Sequence, residues 1–221
     1  MRVELSGVSK GRRGVALPET TAAFASGRAS LVVAETEQRP TVLGLIASGR
    51  MRPDSGSVTI DGEADAGALR RRVALIDAPD VSDPAPNVAL AGVIAEELMF
   101  AGLRSDPISA RRWLHQHGVR GLSRVPIADV VPAVRLRLLL ELAVLRPGVD
   151  AIVLVSPDRH GGDPRSWWAL AGEFAARGLA VLVISGEASA ALLAATPKTS
   201  RPRPDRLRLR AGAPLARGAR R

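Results

Sequence analysis

The sequence predicts an α/β fold: a central sheet flanked by helices, with a helical block inserted in it. Three observations carry this. Strand-like and helix-like stretches alternate along most of the chain. Two apolar runs, Ala151 to Val155 and Leu179 to Ile184, have the length of buried strands and the composition to match. Between about 88 and 130 the alternation stops, and helical stretches follow one another.

Each element has a local reason. Arg2 to Val8 alternates loosely and reads as an edge strand, with a turn over Gly11 to Gly14. Ala29 to Val33 is a short apolar strand. Pro40 to Ala47 reads as a helix with proline in its first turn, where the missing N–H costs nothing, and Gly49 ends it. Ser57 to Ile60 and Val73 to Ile76 are further strands. Asp77 to Asn87 is a loop holding Pro79, Pro84 and Pro86, and Asn87 is placed to cap a helix over Val88 to Ala101. Ser109 to His117 forms a helix stopped by Gly118. Ala133 to Leu145 is a mostly apolar helix, buried on most sides. Pro164 to Ala176 is a helix between the two apolar strands. This order suits a parallel sheet with right-handed crossovers.

Composition narrows the function classes. A chain of 221 residues with 46% hydrophobic content builds a core of its own. Aromatic residues are 3% and tyrosine is absent, so the core rests on Leu, Val, Ile and Ala. With no cysteine there is no disulfide framework, thiolate metal site or thiol chemistry. The start, Met1 to Leu5, has no apolar segment of the kind a signal peptide carries. No apolar run approaches the ~20 residues that span a bilayer. The net charge is +9, but 197–221 alone holds Lys198 and eight arginines against Asp205, so the rest of the chain is nearly neutral.

The stretch Met51-Arg52-Pro53-Asp54-Ser55-Gly56-Ser57-Val58-Thr59-Ile60-Asp61-Gly62-Glu63 resembles the turn and strand after the phosphate-loop helix of ATP-binding-cassette (ABC) ATPase domains. Asp205 to Gly212 resembles the closing hairpin of that family. The resemblance covers residues 3–213. It implies a P-loop NTPase-like ABC ATPase fold with a mixed central sheet, an ATPase-like domain over 1–213, the helical subdomain inserted at about 88–130, and an Arg-rich end over 197–221. It also implies ATP and magnesium as cofactors, a transmembrane permease as partner, a homodimer or heterodimer with another such domain, and a cytoplasmic place at the inner face of the membrane.

Aligned on 51–63, the phosphate loop reads Ala34-Glu35-Thr36-Glu37-Gln38-Arg39-Pro40-Thr41. Glycines let backbone N–H groups approach phosphate, and a lysine neutralises it. Here Ala34 and Arg39 stand for the glycines and Pro40 for the lysine, which removes a charge and an N–H. Glu35 and Glu37 would face triphosphate, each costing roughly 4 kcal/mol at 4 Å and an effective dielectric of 20. Thr41 keeps the magnesium-ligand position, and the Arg39 guanidinium suits phosphate, so these two are the candidate nucleotide-binding residues.

The remaining motifs follow in order. The family glutamine falls near Ala78, the signature at Val130 to Val134, the metal-binding Asp at Val155, and the water-activating Glu at Ser156. The switch His falls at Gly186, and the adenine-stacking aromatic is missing at Arg12 and Arg13. Gly161-Gly162-Asp163-Pro164 keeps the turn after the metal-binding strand. A serine hydroxyl is far too weak a general base at neutral pH, so no catalytic residue and no metal ligand is assigned. The expectation is an ABC-type subunit that hydrolyses little or no ATP. Two alternatives stay open: a module binding anionic lipid or nucleic acid through its Arg-rich end, and an active ATPase using Arg39 and Thr41. His115 and His117 read as a solvated helix face, His160 as part of a polar turn, and Trp113, Trp167 and Trp168 as packing residues.

Overall fold

The computed structural model describes residues 1–35 and 39–195. Thr36, Glu37 and Gln38 of the candidate loop, the Arg-rich end 197–221 and the hairpin expected at 205–212 lie outside the described residues.

Two sheets organise the chain. Strands β1 (Arg2–Lys10), β2 (Leu17–Ala25) and β4 (Ser55–Ile60) form an antiparallel sheet in the order β2-β1-β4. Strands β3 (Arg28–Val33), β5 (Val73–Ile76), β6 (Ala151–Val155) and β7 (Ala180–Ser185) form a parallel sheet in the order β3-β7-β6-β5. Helix α1 (Arg39–Ala47) follows β3, and α2 (Ala66–Arg72) precedes β5. Helices α3 (Leu90–Phe100), α4 (Pro107–Gln116) and α5 (Pro132–Ala143) fill the interval before β6. Helix α6 (Pro164–Ala176) joins β6 to β7, and α7 (Glu187–Ala195) follows β7.

The parallel strands are apolar throughout because both faces are covered. Ile152 and Leu154 of β6 face a core built with α3, α4, α5 and α6. Ala151, Val153 and Val155 face a second core with α1 and the antiparallel sheet. Helix α1 lies close on β6 and β5: a Cβ built on Gly44 would meet Val155 Cγ2 at 2.8 Å and Leu75 Cδ1 at 3.0 Å.

The 51–63 stretch is a joint. Asp54 accepts hydrogen bonds from Lys10 Nζ at 2.6 Å and from the Gly11 amide at 2.9 Å, tying the turn before β4 to the end of β1. Gly56 has φ +77, and a Cβ there would come within 2.3 Å of the Gly7 carbonyl oxygen.

Several expectations need correction. β1 is the middle strand of its sheet, because β2 pairs along its other side. β2 is hidden in the sequence: only Leu17 and Phe24 of its nine residues are buried, so it lacks a clear alternation. The helix expected from Val88 starts at Leu90, and Asn87 does not cap it. The Leu90 and Ala91 amides donate instead to the carbonyls of Val125 and Ser123, at 2.8 and 3.1 Å. Helix α4 starts at Pro107, two residues earlier than expected, because the Asp106 carboxylate accepts from the Ile108 and Ser109 amides. Neither α2 nor α7 was expected from the sequence.

Candidate functional site

The carboxyl ends of β3, β6 and β7 lie side by side, and open parallel sheets bind their ligands at such ends. The Ala34 amide donates to the Ser185 carbonyl at 3.1 Å, and the Ser156 amide to the Ile184 carbonyl at 2.8 Å. Ala34, Ser156 and Gly186, scattered in sequence, are thereby gathered at one end of the sheet.

Two carboxylates meet the N-terminus of α7 there. Glu35 Oε1 accepts from the Glu187 amide at 2.7 Å. Asp158 Oδ2 accepts from the Gly186 amide at 2.9 Å and from Ser189 Oγ at 3.1 Å. Unpaired N–H groups and the positive end of the helix dipole favour negative charge at this position. Asp158 is carried by a short 3₁₀ turn, Pro157–His160, entered through Ser156 in a left-handed conformation with φ 46.

Of the two candidate nucleotide residues, Arg39 opens α1 and is half-buried, while Thr41 is buried in the first turn beside buried Pro40. Val155 is completely buried in the core with α1, and its aliphatic side chain fills space where it could not ligate a cation. No three His, Cys, Asp or Glu side chains come together as a metal site among the described residues.

A second polar centre lies where α5 meets the end of β5. Asp77, just past β5 with φ 61, is fully buried. Arg135 of α5 reaches it with two nitrogens, at 2.7 and 2.6 Å. Arg159 Nη2 donates to Asp77 Oδ1 at 3.1 Å and to Asp83 at 3.2 Å, and His160 Nε2 stands 2.9 Å from Asp77 Oδ2. Burial pushes the Asp77 carboxyl up, but the hydrogen bonds and charges of Arg135 and His160 outweigh it and hold the group well below the usual carboxylate range. His160 is thus part of an ion network, a role the polar-turn reading did not foresee. A signal for it exists: Arg135 shares its helical face with Leu138, Leu139 and Leu142, all buried, and a cation on such a face needs an anion.

His115 and His117 are exposed, as expected of a solvated face, while Trp113 and Trp167 are buried and Trp168 is partly so. His117 stacks on Trp113 with ring centroids 3.7 Å apart, while its Nδ1 lies 2.8 Å from the Trp113 carbonyl. Trp167 and Trp168 meet edge to face, with centroids 6.4 Å apart.

No protein-family model and no curated protein matches the sequence. Solved structures do. An ATP-binding subunit of an ABC transporter superposes with a TM-score of 0.57 at 20% identity, covering 86% of this chain and 82% of its own. A putative ABC transporter ATP-binding protein from Pyrococcus furiosus gives 0.56 at 13% identity, covering 85% and 92%. The chain has an ABC ATPase fold. Within that ABC ATPase fold, the turn Pro157–His160 links the gathered strand ends to the Asp77 centre, with Asp158 reaching the start of α7 and Arg159 and His160 reaching Asp77. The first joins β3, β6 and α7; the second fastens α5 to the end of β5. No helix of the described residues is long and apolar enough to cross a membrane.

Proposed function

We propose that this chain is an ABC transporter-like subunit that has given up ATP hydrolysis and serves as a structural or regulatory partner of a membrane permease. One observation carries the reading. Where the family places its metal-binding and water-activating carboxylates, this chain has Val155, sealed in a core, and Ser156. Without the first, the family's carboxylate ligand for magnesium is missing. Without the second, so is its general base for water. Pro40 in the lysine position and Gly186 in the switch position support the same reading. Arg39 and Thr41 remain as a vestigial nucleotide loop. The ATPase-like domain spans 1–213 with its helical part at about 88–130, and the subunit acts at the inner face of the membrane, paired with a copy of itself or with another ABC ATPase domain.

Docking on the permease uses the cleft between sheet and helical block, at about 78–103. A cavity of about 140 Å³ there is lined by Arg50, Val81, Glu97 and Arg146, among others. Beside it the Arg146 guanidinium sits 5.3 Å over the Phe100 ring. Val81, Met99, Phe100 and Leu103 are each about half exposed, at 50%, 56%, 56% and 48%. Large apolar side chains exposed along one segment suit a protein partner.

The test is calorimetric titration with ATP and magnesium, followed by a turnover assay on the full chain. No turnover above the buffer rate is expected. Micromolar binding with magnesium-dependent hydrolysis would falsify the proposal and favour an atypical ATPase using Arg39 and Thr41.

A further inference from the structure

Gly186 is not in the left-handed region, so its backbone does not demand glycine. Space does. A Cβ at 186 would lie 2.7 Å from Glu35 Oε1 and 3.3 Å from Asp158 Oδ2. The first distance is closer than real Cβ contacts allow. A Cβ at 186 would force the Glu35 carboxylate, the far end of its side chain, to shift from the place where it accepts from the Glu187 amide.

We propose that Glu35 and Gly186 form one latch. The Glu35 carboxylate fastens the chain just past β3 to the N-terminus of α7, and Gly186 is the room that admits it. The chain's own carboxylate then holds the ground that a nucleotide phosphate would need, so the strand ends stay joined to α7 without any ligand. A phosphate entering here must displace a like charge already hydrogen-bonded to the helix. Two departures from the family pattern, at the loop and at the switch, thus become one coupled change. The inference rests on the preceding reading in taking residues 34–41 as a former phosphate loop. The hydrogen bond from the Glu187 amide to Glu35 does not depend on that reading.

Amide exchange on the full chain tests the latch. Glu35→Ala removes the acceptor, and Gly186→Ala pushes it away. Each is expected to speed exchange of the Glu187 amide about tenfold, the effect of losing one charge-assisted hydrogen bond. The double variant should exchange no faster than either single one, because both remove the same contact. Glu35→Gln keeps an acceptor oxygen and should retain slow exchange. Calorimetry with ATP as the probe should show Glu35→Ala binding at least about tenfold tighter than the unsubstituted chain. Unchanged exchange in both single variants, additive effects in the double one, or ATP affinity that does not rise on Glu35→Ala overturns the latch. Thermal melts of each variant confirm that a native fold is being compared. Hydrolysis by the unsubstituted chain would end the pseudo-ATPase reading, while the exchange series would still judge the latch.

Discussion

Arg135 grips both carboxylate oxygens of Asp77, at 2.7 and 2.6 Å, with both side chains almost wholly buried. The pair fastens the first turns of α5 to the end of β5. Arg159, His160 and Asp83 extend it toward the turn after β6. A buried pair adds little net stability over a well-packed apolar substitute, yet removing one partner strands the other's charge.

Arg135→Met should therefore destabilise the fold by about 3 kcal/mol, softened by the contacts Asp77 retains with Arg159 and His160. For a chain of this size that corresponds to a melting point lower by roughly 6–12 °C. Calorimetric melts check it, and pairing Arg135→Met with Asp77→Leu should recover part of the loss.

Asp77 also sets a pH dependence. Its folded-state pKa is depressed below the ordinary 3.8, so the unfolded chain takes up the proton first as the pH falls. Its contribution is complete at neutral pH and drains away below about pH 4. Urea unfolding measured between pH 7 and pH 3 should show stability falling toward the acid end. Asp77→Asn should start less stable and lose the part of that slope which Asp77 supplies.

Gly44→Ala should push α1 off the parallel sheet, because its methyl would meet Val155 and Leu75 within 3.0 Å. Overpacking of this kind costs about 1–3 kcal/mol. Chemical denaturation gives the number directly, and Val155→Ala in the same chain should restore part of it by opening space on the facing strand.

Gly56→Ala tests whether the most legible motif of the sequence is architectural. The substitution places a side chain at φ +77 and drives it into the Gly7 and Ser6 carbonyls, at 2.3 and 2.4 Å. A loss of about 3 kcal/mol or more is expected, with the β1–β4 pairing weakened first in amide exchange.

Much of the frame could be read from the residues. Ala151 to Val155 and Val73 to Ile76 are the strands β6 and β5 as expected, since burial on both faces leaves uninterrupted apolar runs. Helix α6 also has its expected bounds, because Asp163 and Pro164 announce its start. What stayed hidden depends on distant partners. β2 gains its strand conformation from pairing with β1 and shows little pattern of its own. The first turn of α3 is satisfied by carbonyls more than thirty residues away, which no local cap could foretell. At the candidate site the sequence singled out Glu35, Arg39, Thr41 and Gly186, but not the partners of Glu35 and Asp158, whose contacts there span 152 and 28 residues. Such contacts arise only when the parallel strands bring their ends together.

The alternation along β6 gives neighbouring residues separate obligations. Val153 answers to α1 and the antiparallel sheet, and Leu154 to helices α3 to α6. A change in how the helical side is used can therefore accumulate through Leu154 and its neighbours while Val153 keeps the opposite layer in register. Such a strand serves as a party wall, and the rooms on its two sides can be refurnished independently.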